Sequence, residues 1–147
     1  MSGDIIIREN DDRVDELEAF MADNYQTIDL PLVHRFTSGM YIREIFMPAG
    51  SLVTSKIHKT EHPFTVSKGK VAVSIDGKEW EEFEAPYTGI TKPGTRRILY
   101  IIEDCIWTTY HVNQSDSQDL EEIEERLIEK RENDLLKTVL ENKKIEL

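Results

Sequence analysis

The chain has 147 residues, a common size for a single domain, and its formal net charge of −11 with a pI near 4.8 argues against binding to nucleic acid or to an anionic membrane, because both are polyanions. No apolar run approaches the length of a membrane helix, and the start MSGDIIIREN is too acidic for a secretory signal. Cys105 is the one cysteine, which excludes an internal disulfide and a thiolate metal cluster, so the expectation is a cytoplasmic protein.

The first predicted element is a helix over residues 12–24. Val14, Leu17, Phe20 and Met21 fall on one face at helical spacing. The acidic pair at positions 11 and 12 suits the positive end of a helix dipole. We therefore expect residues 1–30 to form an N-terminal segment with a helix.

From residue 31 the pattern changes to short β-branched and aromatic runs separated by turn signals. The predicted strands cover residues 33–36, 40–47, 52–57, 64–67, 70–75, 78–83, 96–102 and 106–112. Turns are predicted at residues 38–39, 48–50, 68–69, 76–77 and 93–94. The Asp76-Gly77 pair is the strongest hairpin signal, because a tight primed turn needs positive φ. Many short strands without intervening helices predict an antiparallel sandwich or barrel over residues 31–114.

Residues 115–147 form a predicted helical tail. Ser115 and Gln118 match a capping box, and Leu120, Ile123 and Leu127 then repeat at helical spacing. This pattern predicts an acidic amphipathic helix, and residues 136–140 allow a second one. The apolar stripe needs a partner, which is either the barrel or another copy of the chain. Because a barrel buries its own core, we expect docking on a neighbouring copy, giving a homodimer.

The stretch 50–69, GSLVTSKIHKTEHPFTVSKG, resembles the first motif of the cupin superfamily. That motif has a Gly, five residues, His-x-His, three or four residues, a Glu, six residues and a Gly. Here Gly50 is followed after five residues by Lys56-x-His58, after three more by His62, and after six more by Gly69. Lys56 stands at the first histidine position, His58 at the second, and His62 at the glutamate position. The resemblance implies a cupin-type antiparallel β-barrel, or jelly roll.

The segment TKPGTRRILYI resembles the second cupin motif more weakly. It keeps the turn glycine, Gly94, and has Arg97 where the last metal-binding histidine would fall. The resemblance covers residues 33–113. The whole chain is also similar to small cupin-like proteins encoded by tailed phages and prophages, a likeness that implies no settled activity.

Three of the four histidines are candidate metal ligands. His58 and His62 follow from the cupin motif. His111 shares a strand face with Trp107 and Thr109, and the bulky Trp107 indicates that this face is directed inward. Three neutral imidazoles would leave open positions on a divalent iron, manganese, zinc or nickel ion. The alternative is that each histidine is a hydrogen-bonded residue of the core or the rim.

Lys56 and Arg97 support a second hypothesis. If both project into the barrel, its interior holds two cations that need partners. The partners are internal, with Glu44 and Glu103 as candidates, or they are an anionic ligand, for which the fork of Arg97 is suited.

The leading functional hypothesis is a small-ligand-binding cupin with a three-histidine divalent-metal site. If it is an enzyme, the ion would activate water, dioxygen or a chelating oxygen substrate. The alternative is a non-catalytic phage-type structural or interaction protein, in which the barrel is a scaffold and the partner is another virion protein. The expected location is then the host cytoplasm or the virion.

Overall fold

The computed structural model describes residues 3–24 and 28–129, with side chains from residue 12 onward. The elements in chain order are α1 (Gly3–Asn24), β1 (Leu32–Thr37), β2 (Met40–Met47), β3 (Leu52–Thr54), β4 (His62–Ser74), β5 (Glu81–Glu84), β6 (Tyr87–Thr91), β7 (Ile98–Val112) and α2 (Leu120–Leu127). Neither described helix has the apolar length that a membrane crossing requires.

Strands β4 and β7 organise the sheet because they are the longest, with 13 and 15 residues. Strand β7 pairs with β2, β3 and β4, and β4 also pairs with β5 and β6, always antiparallel. The main path is β1-β2-β7-β4-β5. The predicted mainly β antiparallel fold with a helix near each end is confirmed. The sheet formed by the described strands is not closed, since β1 and β5 stand at opposite ends of the path.

The turn predicted at Lys68-Gly69 is wrong, because β4 continues through these residues as one strand. The register against β7 shifts repeatedly between Val66 and Val71, which marks a β-bulge. Gly69 adopts a φ of +87° there. The Lys68-Gly69 pair, which locally favours a chain reversal, therefore lies at a bulge within one continuous strand. Strand β7 likewise joins the two strands predicted over residues 96–102 and 106–112.

Both predicted hairpins are present, with different loops. Residues Ser38-Gly39 join β1 to β2 as a two-residue turn, and Gly39 has a φ of +74°. The β4–β5 hairpin is confirmed, but its loop is longer than the predicted tight turn because β5 begins at Glu81. Asp76 stabilises this loop, since its Oδ1 accepts the backbone N–H groups of Lys78 and Glu79 at 2.8 and 3.0 Å.

The hydrophobic core lies where β4 and β7 meet. Phe64 and Trp107 stack with ring centroids 4.4 Å apart and planes within 4°. The other buried members of this core are Met47, Val66, Val71, Val73, Phe83, Leu99, Ile101 and Cys105. Because these two stacked rings come from two paired strands, they pack the centre of the sheet tightly.

A buried ion-pair network fixes helix α1 to the sheet. Arg96 is 4% exposed and donates to Asp15 Oδ1 at 2.7 Å and to Glu18 Oε1 at 2.6 Å. The same Glu18 oxygen accepts the hydroxyl of Thr54 at 2.7 Å. Because Arg96 immediately precedes Arg97, this network also fixes the backbone that carries Arg97.

Helix α2 packs on its own chain. It begins after Asp119, whose side chain caps the first turn, so the capping box predicted at Ser115 is not its start. Ile123 and Leu127 are buried in a cluster with Tyr41. Ile123 and Leu127 thus pack on their own chain, whereas Leu120 is exposed, and docking of the stripe on a neighbouring copy to form a homodimer stays a prediction. The second helix predicted at residues 136–140 lies outside the described residues.

Candidate metal centre

Three elements bring His58, His62 and His111 together. His58 lies in the segment after β3, His62 is the first residue of β4, and His111 is near the end of β7. The ring centroids of His62 lie 4.5 Å from His58 and 4.4 Å from His111, and His58 and His111 are 5.5 Å apart. The convergence predicted from the motif and from strand parity is observed. His111 is 2% exposed and His62 is 3% exposed, so the cluster faces inward.

The backbone on both sides of His58 is anchored, since the preceding carbonyl, of Ile57, accepts the N–H of Glu129 at 2.8 Å and the peptide unit after His58 is also bonded. The His58 carbonyl accepts the N–H of Gly94 at 2.9 Å, and the N–H of Lys59 donates to the Leu127 carbonyl at 2.7 Å. His58 also forms an isolated β-bridge with Ile128. These contacts connect the segment after β3 to the second motif and to the end of α2, which places His58 against the two strand-borne histidines.

Hydrogen bonds set the orientation of the other two rings. His62 Nδ1 lies 3.1 Å from the carbonyl of Thr60, so Nδ1 carries the proton and Nε2 carries the lone pair. His111 Nε2 lies 2.9 Å from Thr109 Oγ1. When this nitrogen donates to the hydroxyl, the lone pair is on His111 Nδ1, a buried atom that has no hydrogen-bond partner among the described residues. Such partners typically fix the tautomer and direction of metal-binding histidines.

Burial is the main cause of low pKa values in the cluster. It lowers the pKa of His58 to about 3, with further lowering by His62, His111, Arg43 and Arg97. It lowers the pKa of His111 to about 3, with smaller effects of His62 and Arg43. Burial also lowers the pKa of His62. The three imidazoles are therefore neutral near pH 7, which is the form that binds a metal.

The three side chains fit a divalent transition metal. Each offers one ligand nitrogen, and these nitrogens all lie within 4.8 Å of one another. The unsatisfied buried nitrogen of His111 is an independent sign, since buried polar atoms are normally paired. Three nitrogen donors with no carboxylate suit iron, manganese, zinc or nickel better than magnesium or calcium.

Lys56 does not lie where the sequence predicts. Strand β3 ends at Thr54, so the alternation expected to aim Lys56 and His58 to the same side stops before either residue. Lys56 is exposed and its Nζ pairs with Glu124 Oε1 of α2. The predicted inward orientation of Lys56 is wrong.

Arg97 lies beside the histidines, as the second motif predicts. Its guanidinium carbon is 5.0 Å from the centroid of the Phe64 ring and 6.0 Å from that of Trp107. Nη1 donates to Thr91 Oγ1 at 2.8 Å, and Thr91 pairs with His62 between β6 and β4. Burial lowers the pKa of Arg97, a sign that its charge is partly desolvated.

The sequence reasoning missed Arg43. This residue pairs with Thr109 across β2 and β7, next to the pair formed by Tyr41 and His111. Its charge contributes to the lowered pKa values of His58 and His111. The period-two alternation in MYIREIFM puts Arg43 on the same face as Tyr41, but it does not show that this face meets the histidines.

Tyr41 forms one wall of the cluster. Its ring stacks on His111 with centroids 5.7 Å apart, and its hydroxyl lies 2.7 Å from His34 Nδ1. Burial raises the pKa of Tyr41. His34, the fourth histidine, thus contacts the tyrosine and lies outside the three-histidine group, in agreement with its omission from the predicted ligands.

No protein-family model matches the sequence, and no curated protein matches it significantly. A cupin-2 domain containing protein from Shewanella frigidimarina resembles the fold at 10% identity and a TM-score of 0.46, over 66% of this chain and 92% of that one. An RmlC-like cupin family protein from Methanocaldococcus jannaschii does so at 10% identity and a TM-score of 0.47, over 62% and 88%.

An acetylacetone dioxygenase from Acinetobacter johnsonii is 17% identical with a TM-score of 0.44, over 56% of this chain, and the match spans 58% of that protein. With TM-scores below 0.5 and identities of 10–17%, these likenesses assign neither a family nor an activity to this chain. The resemblance to phage-encoded proteins stays a prediction.

Proposed function

We propose that this chain is a cupin-type metal-binding protein, in which His58, His62 and His111 hold one divalent transition metal ion for a small oxygen-bearing ligand. The observation that carries the proposal is the convergence of three ligand nitrogens within 4.8 Å of one another. Burial keeps the three imidazoles neutral near pH 7, so no proton competes strongly for their lone pairs.

The chain contributes orientation and a sheltered site. Thr60 and Thr109 bond one ring nitrogen each of His62 and His111, leaving the opposite nitrogen of each ring as the ligand atom. A divalent ion held by three protein ligands keeps coordination positions open and supplies Lewis acidity to a water or an oxygen ligand there. The ring of Tyr41 lies against His111 and restricts the access of bulk water from that side.

Metal analysis of protein produced without a histidine tag tests this proposal. We expect close to one transition-metal ion per chain, measured by mass spectrometry of the elements after gel filtration. Substitution of His58, His62 or His111 by alanine should remove most of this metal. His34→Ala is the matched control, because it is the one histidine outside the cluster and should retain the metal.

Two results would overturn the metal site. The first is a wild-type chain that holds no transition metal and takes up none when Co²⁺, Zn²⁺, Mn²⁺ or Fe²⁺ is titrated into it. The second is near-stoichiometric metal that persists in His62→Ala and His111→Ala. The first result would favour the scaffold hypothesis, and the second would place the metal outside the three histidines.

A further inference from the structure

Several of the described arginines pair with carboxylates. Arg35 pairs with Glu44 at 3.1 Å, and Arg126 lies 4.0 Å from Glu122. The buried Arg96 has two carboxylate partners. With 29 acidic residues against 18 basic ones, the chain has carboxylates in excess. An arginine left without one is therefore an exception to be explained.

Arg43 and Arg97 are such exceptions among the described residues, since neither forms an ion pair with another described side chain. The internal partners considered for the pocket cations do not reach them. Glu44 pairs with Arg35, and Glu103 is exposed and lies opposite Lys70 between β7 and β4. Both arginines are only partly exposed, where an unpaired charge is unfavourable. Tyr87 and Glu81 act against the lowering of the Arg97 pKa by burial, but neither forms an ion pair with Arg97.

Arg97 retains free hydrogen-bonding capacity. A guanidinium has five N–H donors, and the one side-chain bond of Arg97 to a described residue goes from Nη1 to Thr91 Oγ1. The aromatic faces of Phe64 and Trp107 lie under the group and cannot accept its in-plane N–H bonds. Thr91 and the two aromatic rings thus hold the guanidinium of Arg97 in place. Its other N–H groups have no acceptor among the described side chains.

Arg43 approaches the same histidines from another strand. It sits on β2 opposite Thr109, the residue that bonds His111, whereas Arg97 precedes β7 and bonds Thr91 opposite His62. Positive charge therefore reaches the histidine cluster from both β2 and the start of β7. Lys56, the other predicted pocket cation, is exposed and pairs with Glu124 on the protein surface.

We propose that Arg43 and Arg97 form an anion subsite beside the histidine cluster, and that its ligand is a small organic acid with one carboxylate held by the arginines. The inference rests on the proposed metal site, because a second oxygen of the same acid would occupy an open position on the ion. A planar carboxylate matches the fork of a guanidinium in a two-bond contact. Pyruvate and oxalate are the simplest probes of this kind, since each carries a carboxylate next to a second oxygen donor.

Thermal unfolding with defined probes tests the subsite. Oxalate and pyruvate, added to metal-loaded protein, should raise Tm by roughly 5 °C at saturation, because a ligand that binds only the folded state stabilises it. The increase should be lost in Arg97→Gln and in Arg43→Gln, and reduced but measurable in Arg97→Lys, which keeps the charge and loses the fork. Arg35→Gln, a surface arginine on β1, is the matched control and should respond as the wild type does. Circular dichroism confirms that each variant is folded.

The outcomes separate the two proposals. Protein that binds metal but shows the same response to the acids in wild type and Arg97→Gln contradicts the anion subsite and leaves the metal site intact. Protein that binds no metal yet is stabilised by the acids through Arg43 and Arg97 contradicts the metal site alone. A larger increase with inorganic phosphate than with either acid would overturn the assignment of the ligand as a carboxylate.

Discussion

Gly69 in β4 lies directly against the backbone of Asp104 in β7. A Cβ atom placed on Gly69 would be 2.1 Å from the carbonyl oxygen of Asp104 and 2.7 Å from its carbonyl carbon. The glycine also has a φ of +87°, a conformation that other residues rarely adopt. The β-bulge in β4, where it pairs with β7, therefore requires a residue without a side chain at position 69.

We expect Gly69→Ala to lower the free energy of unfolding by more than about 2 kcal/mol, because the methyl group would collide with backbone that cannot move aside cheaply. Gly50→Ala is the matched control. Gly50 has a similar φ of +84°, but nothing lies within 4 Å of a Cβ built there. The control should therefore cost only the strain of the left-handed conformation, about 1 kcal/mol. Urea unfolding measures both, and equal losses would show that the contact with Asp104 is unimportant.

A second prediction concerns the anchor of α1. Arg96→Met should destabilise the protein by about 3–5 kcal/mol, since it leaves the buried carboxylate of Glu18 without its cation. Arg35→Met removes the exposed pair with Glu44 and should cost less than about 1 kcal/mol. Both values come from denaturant unfolding followed by circular dichroism. If Arg96→Met costs no more than Arg35→Met, the network does not hold the helix.

Hydrophobic alternation and turn residues predict much of the fold, because both are local. They give β1, β2 and the β4–β5 hairpin close to their observed places, and they give the end of α1 at Asn24 but not its start, which lies at Gly3 and not at residue 12. These local patterns do not predict strand β6 (Tyr87–Thr91), because it contains Gly89, a residue type that disfavours strands. In the structure that glycine makes room for Phe64, whose Cζ would lie 2.6 Å from an added Cβ. Long-range packing, invisible in a local pattern, explains this glycine.

Local sequence patterns also predict only part of the candidate site. The spacing of the cupin motif identifies His58 and His62, and strand parity identifies His111, because motif and parity both report geometry within one segment. Lys56 is misplaced because β3 ends at Thr54, a boundary that the sequence LVTSKI does not show. Arg43 is overlooked because its closeness to the histidines depends on the register of β2 against β7, which single-strand patterns do not contain.

Cys105 provides a third test. It is fully buried, and burial raises the pKa of its thiol to about 11. The thiolate that reacts with alkylating agents is therefore scarce at pH 8 and is also shielded from reagent. We expect iodoacetamide to label the folded protein far more slowly than the protein in urea. Rapid labelling of the native chain would show that the region of β7 around Cys105 opens readily.

The last prediction follows from the titration of the cluster in metal-free protein. In the unfolded chain the imidazoles titrate near 6.5, whereas in the folded chain the pKa values of His58 and His111 are about 3. Between these values the unfolded state binds more protons, so the free energy of unfolding should fall as the pH decreases from 6.5 toward 3. Above pH 6.5 these two groups should make no difference.

Each histidine should contribute up to about 1.4 kcal/mol per pH unit within that window. Carboxylates titrate in its lower part as well, so the test is a comparison of two proteins at every pH. His58→Gln and His111→Gln should each lose less stability than the wild type between pH 6.5 and 4.5, because a glutamine takes up no proton in either state. Urea unfolding of chelator-treated samples in steps of half a pH unit measures the difference. Parallel curves for wild type and both variants would mean that the two imidazoles titrate normally in the folded chain, and that their burial does not keep them neutral.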